Sequence, residues 1–264
     1  MNLTTLFNQK PYNIGIALSG GGIKGLCHAG VLKALEEQGI KPAILSGVSS
    51  GAVVAALYAD GYTPDEIAKL FEDISFRRMT KIQISNGGFF KIDAFQKFIS
   101  KKLHAKTFEE LKIPLRIVAT DLDRGRSVVF LSGKLLDPII ASCSVPVLFS
   151  PKVIDGVRYV DGGVFKNFPV STIREDCDKV IGINASPLVA DEYKPTILNV
   201  AARSYHFMFK ANILADKELC DLLIEPVDMG NYETFDVDKG REIFELGYRT
   251  TKQLLVNKLD TKVV

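Results

Sequence analysis

Residues 44–56 read ILSGVSSGAVVAA, and the character of the chain changes twice within them. A short apolar piece, PAILSG, runs into Gly47-Val48-Ser49-Ser50-Gly51, and a run of small residues follows. The central five have the G-x-S-x-G spacing of a nucleophile elbow. Such an elbow needs a strand, a tight turn and a helix, with glycine wherever a side chain would collide. Here the flanks supply that context, so the reading rests on more than five letters. It is set against a plain Gly/Ser loop between a strand and a helix. Ser49 then needs a base to take its proton, and the chain holds three histidines, His28, His104 and His206.

On the N-terminal side, YNIGIALSG (12–20) reads as a strand that runs into glycines. GIKGLCHAGVLKALEEQG (22–39) has helical periodicity, with Ile23, Leu26, Cys27, Gly30, Val31, Ala34 and Leu35 on one face and Gly39 as a stop. After the elbow, SGAVVAALYADG predicts a helix of small residues packed closely on a sheet and ended by Gly61. Thr63-Pro64-Asp65-Glu66 opens the next helix with a cap, a first-turn proline and a capping-box glutamate. LRIVATDL (115–122) and SVVFLSG (127–133) read as strands, and KLLDPIIAS (134–142) as a short helix. KVIDGVRYVDGG (152–163) reads as a hairpin turning at Asp155-Gly156 and ending at Asp161. KVIGIN (179–184) and LCDLLIEP (219–226) read as strands, residues 196–218 as helical, and 238–259 as an amphipathic closing helix. Strands alternating with helices predict an α/β fold whose parallel sheet is covered on both faces. Ligands gather beyond the carboxyl ends of such strands. Gly20 to Gly22, Ser49 and Asp161 each follow a predicted strand, so they are expected to meet.

At 264 residues, with 47% apolar and 24% charged side chains, the chain has an ordinary globular composition. No linker, repeat or low-complexity run divides it, so residues 1–264 read as one domain. The scattered cysteines, Cys27, Cys143, Cys177 and Cys220, have no zinc spacing and read as reduced thiols, and no metal is expected. No signal-peptide pattern is seen, and no run nears the roughly 18 apolar residues of a membrane span. The expectation is a cytoplasmic protein, in contact with the membrane at most peripherally.

SGGGIKG (19–25) is the second element. Its glycines can turn backbone N–H groups toward negative charge at a helix start, as in an oxyanion hole. The rival is a nucleotide loop, since Gly20, Gly22 and Gly25 also satisfy G-x-G-x-x-G. A dinucleotide site wants an acidic residue about 20 positions on, where ILSG stands. A Walker loop wants Lys-Ser/Thr after its last glycine, where Leu26 stands. The third element is YVDGGVFKNFP (159–169), in which Asp161 closes a strand and precedes two glycines. By itself it is a common turn; beside Ser49 and the glycine loop it offers a base.

Taken together, Gly20-Gly21-Gly22-Ile23-Lys24-Gly25, Gly47-Val48-Ser49-Ser50-Gly51, ASCSVPVLFSP (141–151) and Asp161-Gly162-Gly163 with Asn167 and Pro169 resemble the bacterial patatin-like phospholipases. All four motifs stand in that family's order and cover most of the first 170 residues. The resemblance implies a three-layer α/β/α fold with a mainly parallel sheet. It also implies hydrolysis of lipid acyl esters without metal or cofactor, through a Ser49–Asp161 dyad with the Gly20, Gly21 and Gly22 amides as oxyanion hole and Gly47 and Gly51 shaping the elbow. The base would then be an aspartate, and the three histidines take plain readings: His28 packed in the core, His104 solvated, His206 packing among aromatics. Lys24 sits at the family's basic position, either steering a phosphate head group or holding the loop. Beyond position 170 no further motif is found. The rivals are an acyltransferase of the same general fold, in which a histidine would stand where Val48 does, and a protein that binds a nucleotide or lipid without turnover.

One segment stands apart. Residues 76–106 hold eight Lys/Arg against Asp93 alone, with Phe76, Phe89, Phe90, Phe95 and Phe98 between them. IDAFQKFISKKL (92–103) reads first as an amphipathic helix with Ile92, Phe95, Phe98 and Ile99 on its core face. A lid or docking surface for anionic lipid is the functional reading. No nucleic-acid motif accompanies the charge, and no nucleic-acid partner is expected.

Overall fold

The computed structural model describes residues 10–72, 92–146, 148–187, 207, 212–233 and 237–260. Among these residues eight strands form one sheet: β1 (Tyr12–Leu18), β2 (Ile44–Val48), β3 (Leu115–Asp121), β4 (Arg126–Phe130), β5 (Lys152–Ile154), β6 (Val157–Asp161), β7 (Cys177–Ile183) and β8 (Leu222–Ile224). The order is β5-β6-β3-β2-β1-β7-β8, with β4 also paired to β3. The pairs from β3 through β2, β1 and β7 to β8 are parallel, and β3–β4, β3–β6 and β5–β6 are antiparallel. The fold is α/β with a mainly parallel sheet.

Both faces of the central strands are covered, as their near-continuous apolar sequences require. On one face Ile16, Leu18, Leu45, Ile117, Ile181 and Ile183 join the main core. That side is covered by α1 (Leu26–Glu36), α2 (Ser50–Asp60), α3 (Pro64–Glu72), α4 (Asp93–Lys102), α5 (Leu136–Ser142) and the long α8 (Gly240–Asp260). The other face carries Ala17, Ile44 and Val180 against Phe168, Val170, Ile173 and Ile213, from the stretch after the short α6 (Gly163–Lys166) and the lead into α7 (Leu214–Glu218). Every residue of α2 is buried, which its run of alanines and glycine makes sterically possible.

Local signals behave as expected. Glu66 accepts bonds from the Thr63 amide and hydroxyl while Thr63 Oγ1 accepts the Glu66 amide, completing the capping box. Asp155 and Gly156 both have positive φ, 49° and 79°, the signature of a type I′ hairpin turn. Ile92, just before α4, and Ile99 within it are buried, and Phe95 and Phe98 pack on the core, so the amphipathic-helix reading describes this part of the basic segment. Residues 76–91 of that segment, with Phe76, Phe89 and Phe90, the greater part of the helix expected over 196–218, and His206 lie outside the described residues.

One feature of the sheet was not expected, and it positions the site. Ile117 and Val118 pair with β2 and β4, so those two strands lie on opposite edges of β3. Ala119 to Asp121 pair with β4 and β6, so β6 lies on the same edge as β2. The last β2 rung is Val48–Val118 and the first β6 rung is Asp161–Ala119. β2 and β6 therefore abut end to end along β3, running toward each other, with Ser49 and Asp161 at the junction.

Candidate active site

Ser49 is where the chain leaves β2 for α2, and it has φ 53° and ψ −126°. A non-glycine residue with positive φ is strained and persists only where its surroundings hold it. The turn is tight enough to exclude side chains on either side. A Cβ at Gly51 would lie 2.5 Å from the carbonyl oxygens of both Leu18 and Ser19, and one at Gly47 would lie 2.6 Å from Gly51 O. The Ser49 carbonyl accepts the amides of Ala52 and Val53, at 2.9 and 3.2 Å, and so starts α2.

Opposite it, Asp161 is almost wholly buried. Its Oδ1 accepts the Gly163 amide at 2.8 Å, and the Ser49 side chain lies near enough to favour the charged carboxylate. Burial pushes the carboxyl up to about 7, although the neighbouring Ser49 hydroxyl and the Gly163 amide pull the other way. The Cys143 thiol is held well above its ordinary range by burial and by the Asp161 charge. A serine hydroxyl thus sits beside a carboxyl group whose proton affinity suits neutral pH.

The glycine loop lies against this pair. A Cβ on Gly20 would sit 3.3 Å from Ser49 Cβ and 2.3 Å from Asn167 Oδ1. The loop is tied from several sides. The Ser19 amide donates to Ile183 O at 3.1 Å, Ser19 Oγ accepts the Ala185 amide at 3.0 Å, and Ser186 Oγ donates to Gly20 O at 2.9 Å. The Gly20 amide itself donates to Asn167 O at 3.0 Å. That corrects the expectation that all three glycine amides face a substrate: in this conformation Gly20 has an internal acceptor. The amides of Gly21 and Gly22 have none among the described bonds. Gly22, at φ 61°, turns the chain into the 3₁₀ turn Gly22–Gly25.

His28 is fully buried, and its Nε2–H donates to Ser19 O at 2.8 Å. Burial lowers its pKa to about 4, so the ring is neutral at pH 7, with Nδ1 lacking a partner among the described residues. It holds the glycine loop from behind. His104 is exposed, as expected, yet its ring is anchored: Nδ1–H donates to buried Asp60 at 3.0 Å and the ring stacks on Tyr62 at 5.1 Å. Lys24 is buried beneath the loop.

Sequence reasoning gave no individual role to Ser142 and Ser144 of the 141–151 motif. Ser142 Oγ accepts the Ser49 amide at 2.8 Å and donates to Val118 O at 2.6 Å. Ser144 O accepts the Asp161 amide at 2.9 Å. The motif was visible as letters, but its contacts join segments far apart in the chain. Among the described residues, no three His, Cys, Asp or Glu side chains are placed to hold a metal ion, and no helix is long and apolar enough to cross a membrane.

Comparison with known proteins gives the family and the fold. Residues 16–173 match the family model described as patatin-like phospholipase. The protein YqhO of Bacillus subtilis is 30% identical over 280 residues, which cover 90% of this chain and 96% of that one. An NTE family protein of Mycobacterium tuberculosis is 32% identical over 67% of this chain and 48% of its own length, so the chain spans about half of that relative. The crystal structure of VipD from Legionella pneumophila has the same fold, with a TM-score of 0.61 at 16% identity over 94% of this chain and 67% of that one.

Proposed function

Because the chain belongs to the patatin-like phospholipase family, we propose that it is a serine acyl hydrolase that cleaves lipid acyl esters through a Ser49–Asp161 dyad. The observation that carries the reading is that Ser49, strained at its elbow, meets a buried carboxyl pushed up to about 7 where β2 and β6 abut along β3. A free aspartate is too weak a base for a serine hydroxyl; one raised by burial is far better matched to the task.

In this mechanism Ser49 Oγ attacks the ester carbonyl as its proton passes to Asp161. The oxygen that gains charge lies against the amides of Gly21 and Gly22. Collapse breaks the bond to the alcohol, which leaves with the proton from Asp161, and the acyl group remains on Ser49. Water then attacks the acyl-enzyme, giving its proton to Asp161, and the fatty acid departs as Ser49 recovers a proton. Gly47 and Gly51 contribute by letting α2 close under β1. Residues 1–264 form one acyl-hydrolase domain in this reading. The basic side chains of 76–106, of which Lys97 and Lys101 on α4 are exposed, meet anionic lipid peripherally.

The test is direct. A fluorophosphonate should label Ser49 stoichiometrically, and the protein should release free fatty acid from phospholipid or lysophospholipid vesicles. Acyl transfer to an added alcohol in place of release would favour the transferase instead. An unlabelled Ser49 with no released acid would defeat the reading. Vesicle binding that ignores both anionic lipid content and salt would remove the membrane contact alone.

A further inference from the structure

The junction between β2 and β6 creates a problem that Ser142 solves. β3 pairs with β2 up to Val118 and with β6 from Ala119 onward. The chain of Ser49 bends away just after the last β2 rung, so its amide and the Val118 carbonyl face the interior without each other as partners. Buried amides and carbonyls are nearly always hydrogen-bonded. A hydroxyl can accept from one and donate to the other, and Ser142 Oγ does both, at 2.8 Å from Ser49 N and 2.6 Å from Val118 O. Ser142 is wholly buried, so no water competes for those bonds.

The same segment reaches the base. Two residues on, Ser144 O accepts the Asp161 amide at 2.9 Å. Ser144 is itself fixed to the end of α5, through Oγ to Ile140 O at 2.8 Å and through its amide to Ala141 O at 3.1 Å. Both candidate catalytic residues therefore hang by their backbones from one helix terminus. Ser49 depends on this support more than Asp161 does, because its positive φ is a conformation that a serine does not adopt unaided.

We infer that Ser142 is a positioning residue that locks Ser49 in its attacking conformation against Asp161, with the Ser142–Ser144 segment acting as a clasp between nucleophile and base. The inference rests on the dyad reading and adds to it a residue that touches neither substrate nor reacting atoms. A misplacement of about 1 Å in an attacking group can cost about 10²-fold in rate. Loss of the clasp should act on kcat, since Ser142 is wholly buried and its hydroxyl is committed to Ser49 N and Val118 O.

The experiment compares wild type, Ser142→Ala, Asp161→Asn and Thr251→Ala on a water-soluble chromogenic ester. Thr251 is a matched control: it is buried in α8 and bonds Gly247 O at 2.8 Å. Ser142→Ala should lower kcat and the rate of fluorophosphonate labelling about 10²-fold and leave KM within about twofold. The midpoint of the acid limb should not move. Hydrogen exchange at the Ser49 amide should become fast in Ser142→Ala and stay slow in Thr251→Ala, which should keep its kcat. An unchanged kcat in folded Ser142→Ala, or an equal loss in Thr251→Ala, overturns the inference while leaving the dyad in place. A kcat that falls in Ser142→Ala but survives in Asp161→Asn overturns the base assignment and leaves the positioning role standing. A wild type that neither turns over nor labels overturns both. If Ser142→Ala does not fold, Ser142→Cys takes its place, because its thiol fills the same space but bonds weakly.

Discussion

Replacing Asp161 by Asn should make the protein more stable at neutral pH while removing its activity. The unfolded chain releases the Asp161 proton near the ordinary 3.8, whereas the folded protein keeps it up to about 7. Between those values the native state binds more protons, so stability falls as pH rises. The contribution of Asp161 is fully present below pH 3.8 and lost as pH passes through about 7. A shift of that size corresponds to about 4 kcal/mol in all, at about 1.4 kcal/mol per unit. The asparagine variant has the same shape and can still accept the Gly163 amide, but it has nothing to titrate. Subtracting its stability from that of wild type cancels every other ionisable group. In urea unfolding at a series of pH values, the two proteins should agree closely near pH 4. They should then diverge in favour of the variant up to pH 7 and run parallel above it. Near neutrality that difference should raise the Tm by roughly 10 °C. Wild-type kcat/KM should rise through the same pH range, and the variant should lose about 10²–10⁴ of it. Curves that stay parallel from pH 4 to 8, or an acid limb near pH 4, would show that the carboxyl is not buried as described, and the base assignment would fall with it.

Three further outcomes follow from neighbouring contacts. Gly51→Ala places a Cβ 2.5 Å from two backbone oxygens of β1 and the residue after it, so urea unfolding should show a loss of about 1–3 kcal/mol or more; a neutral result would mean that α2 can move off β1. His28→Gln keeps a donor that can face Ser19 O and should cost less than about tenfold in turnover, short of the 10²–10⁴ expected for a general base, with the acid limb unmoved. Total loss in a folded His28 variant would transfer the base role to the imidazole. Asp60→Ala removes the acceptor of the His104 and Ala105 amides and of the His104 ring, and thermal or urea unfolding should register about 1–3 kcal/mol. An unchanged stability would show that the segment after α4 is held by packing alone.

What the sequence by itself determined is what short-range chemistry settles. The elbow needs a strand, a turn and a helix within about fifteen residues, and all three are written between Ile44 and Asp60 in apolar, glycine and alanine choices. The Thr63–Glu66 cap and the Asp155-Gly156 turn are local in the same way, each decided by side chains within three residues of one another. Alternating strands and helices were enough for the α/β class, because periodicity reports which faces are buried. The meeting of Ser49 with Asp161 could be anticipated only as a consequence of strand ends and of family resemblance.

Tertiary structure alone decided how they meet. That β6 runs against β3, on the edge β2 has just vacated, depends on a pairing choice between segments about forty residues apart. Nothing in VRYVD distinguishes that edge from another. Ser142 lies 93 residues from the amide it accepts, and Asn167, from a segment distant in the chain, takes the Gly20 amide and removes it from the donors the glycine loop offers. The proton affinity of Asp161 is likewise absent from its own neighbourhood in the chain. It arises from desolvation, and desolvation is a property of everything packed around a group. Sequence records the donors, acceptors and carboxylates; only the folded chain decides which of them lose water and which find each other.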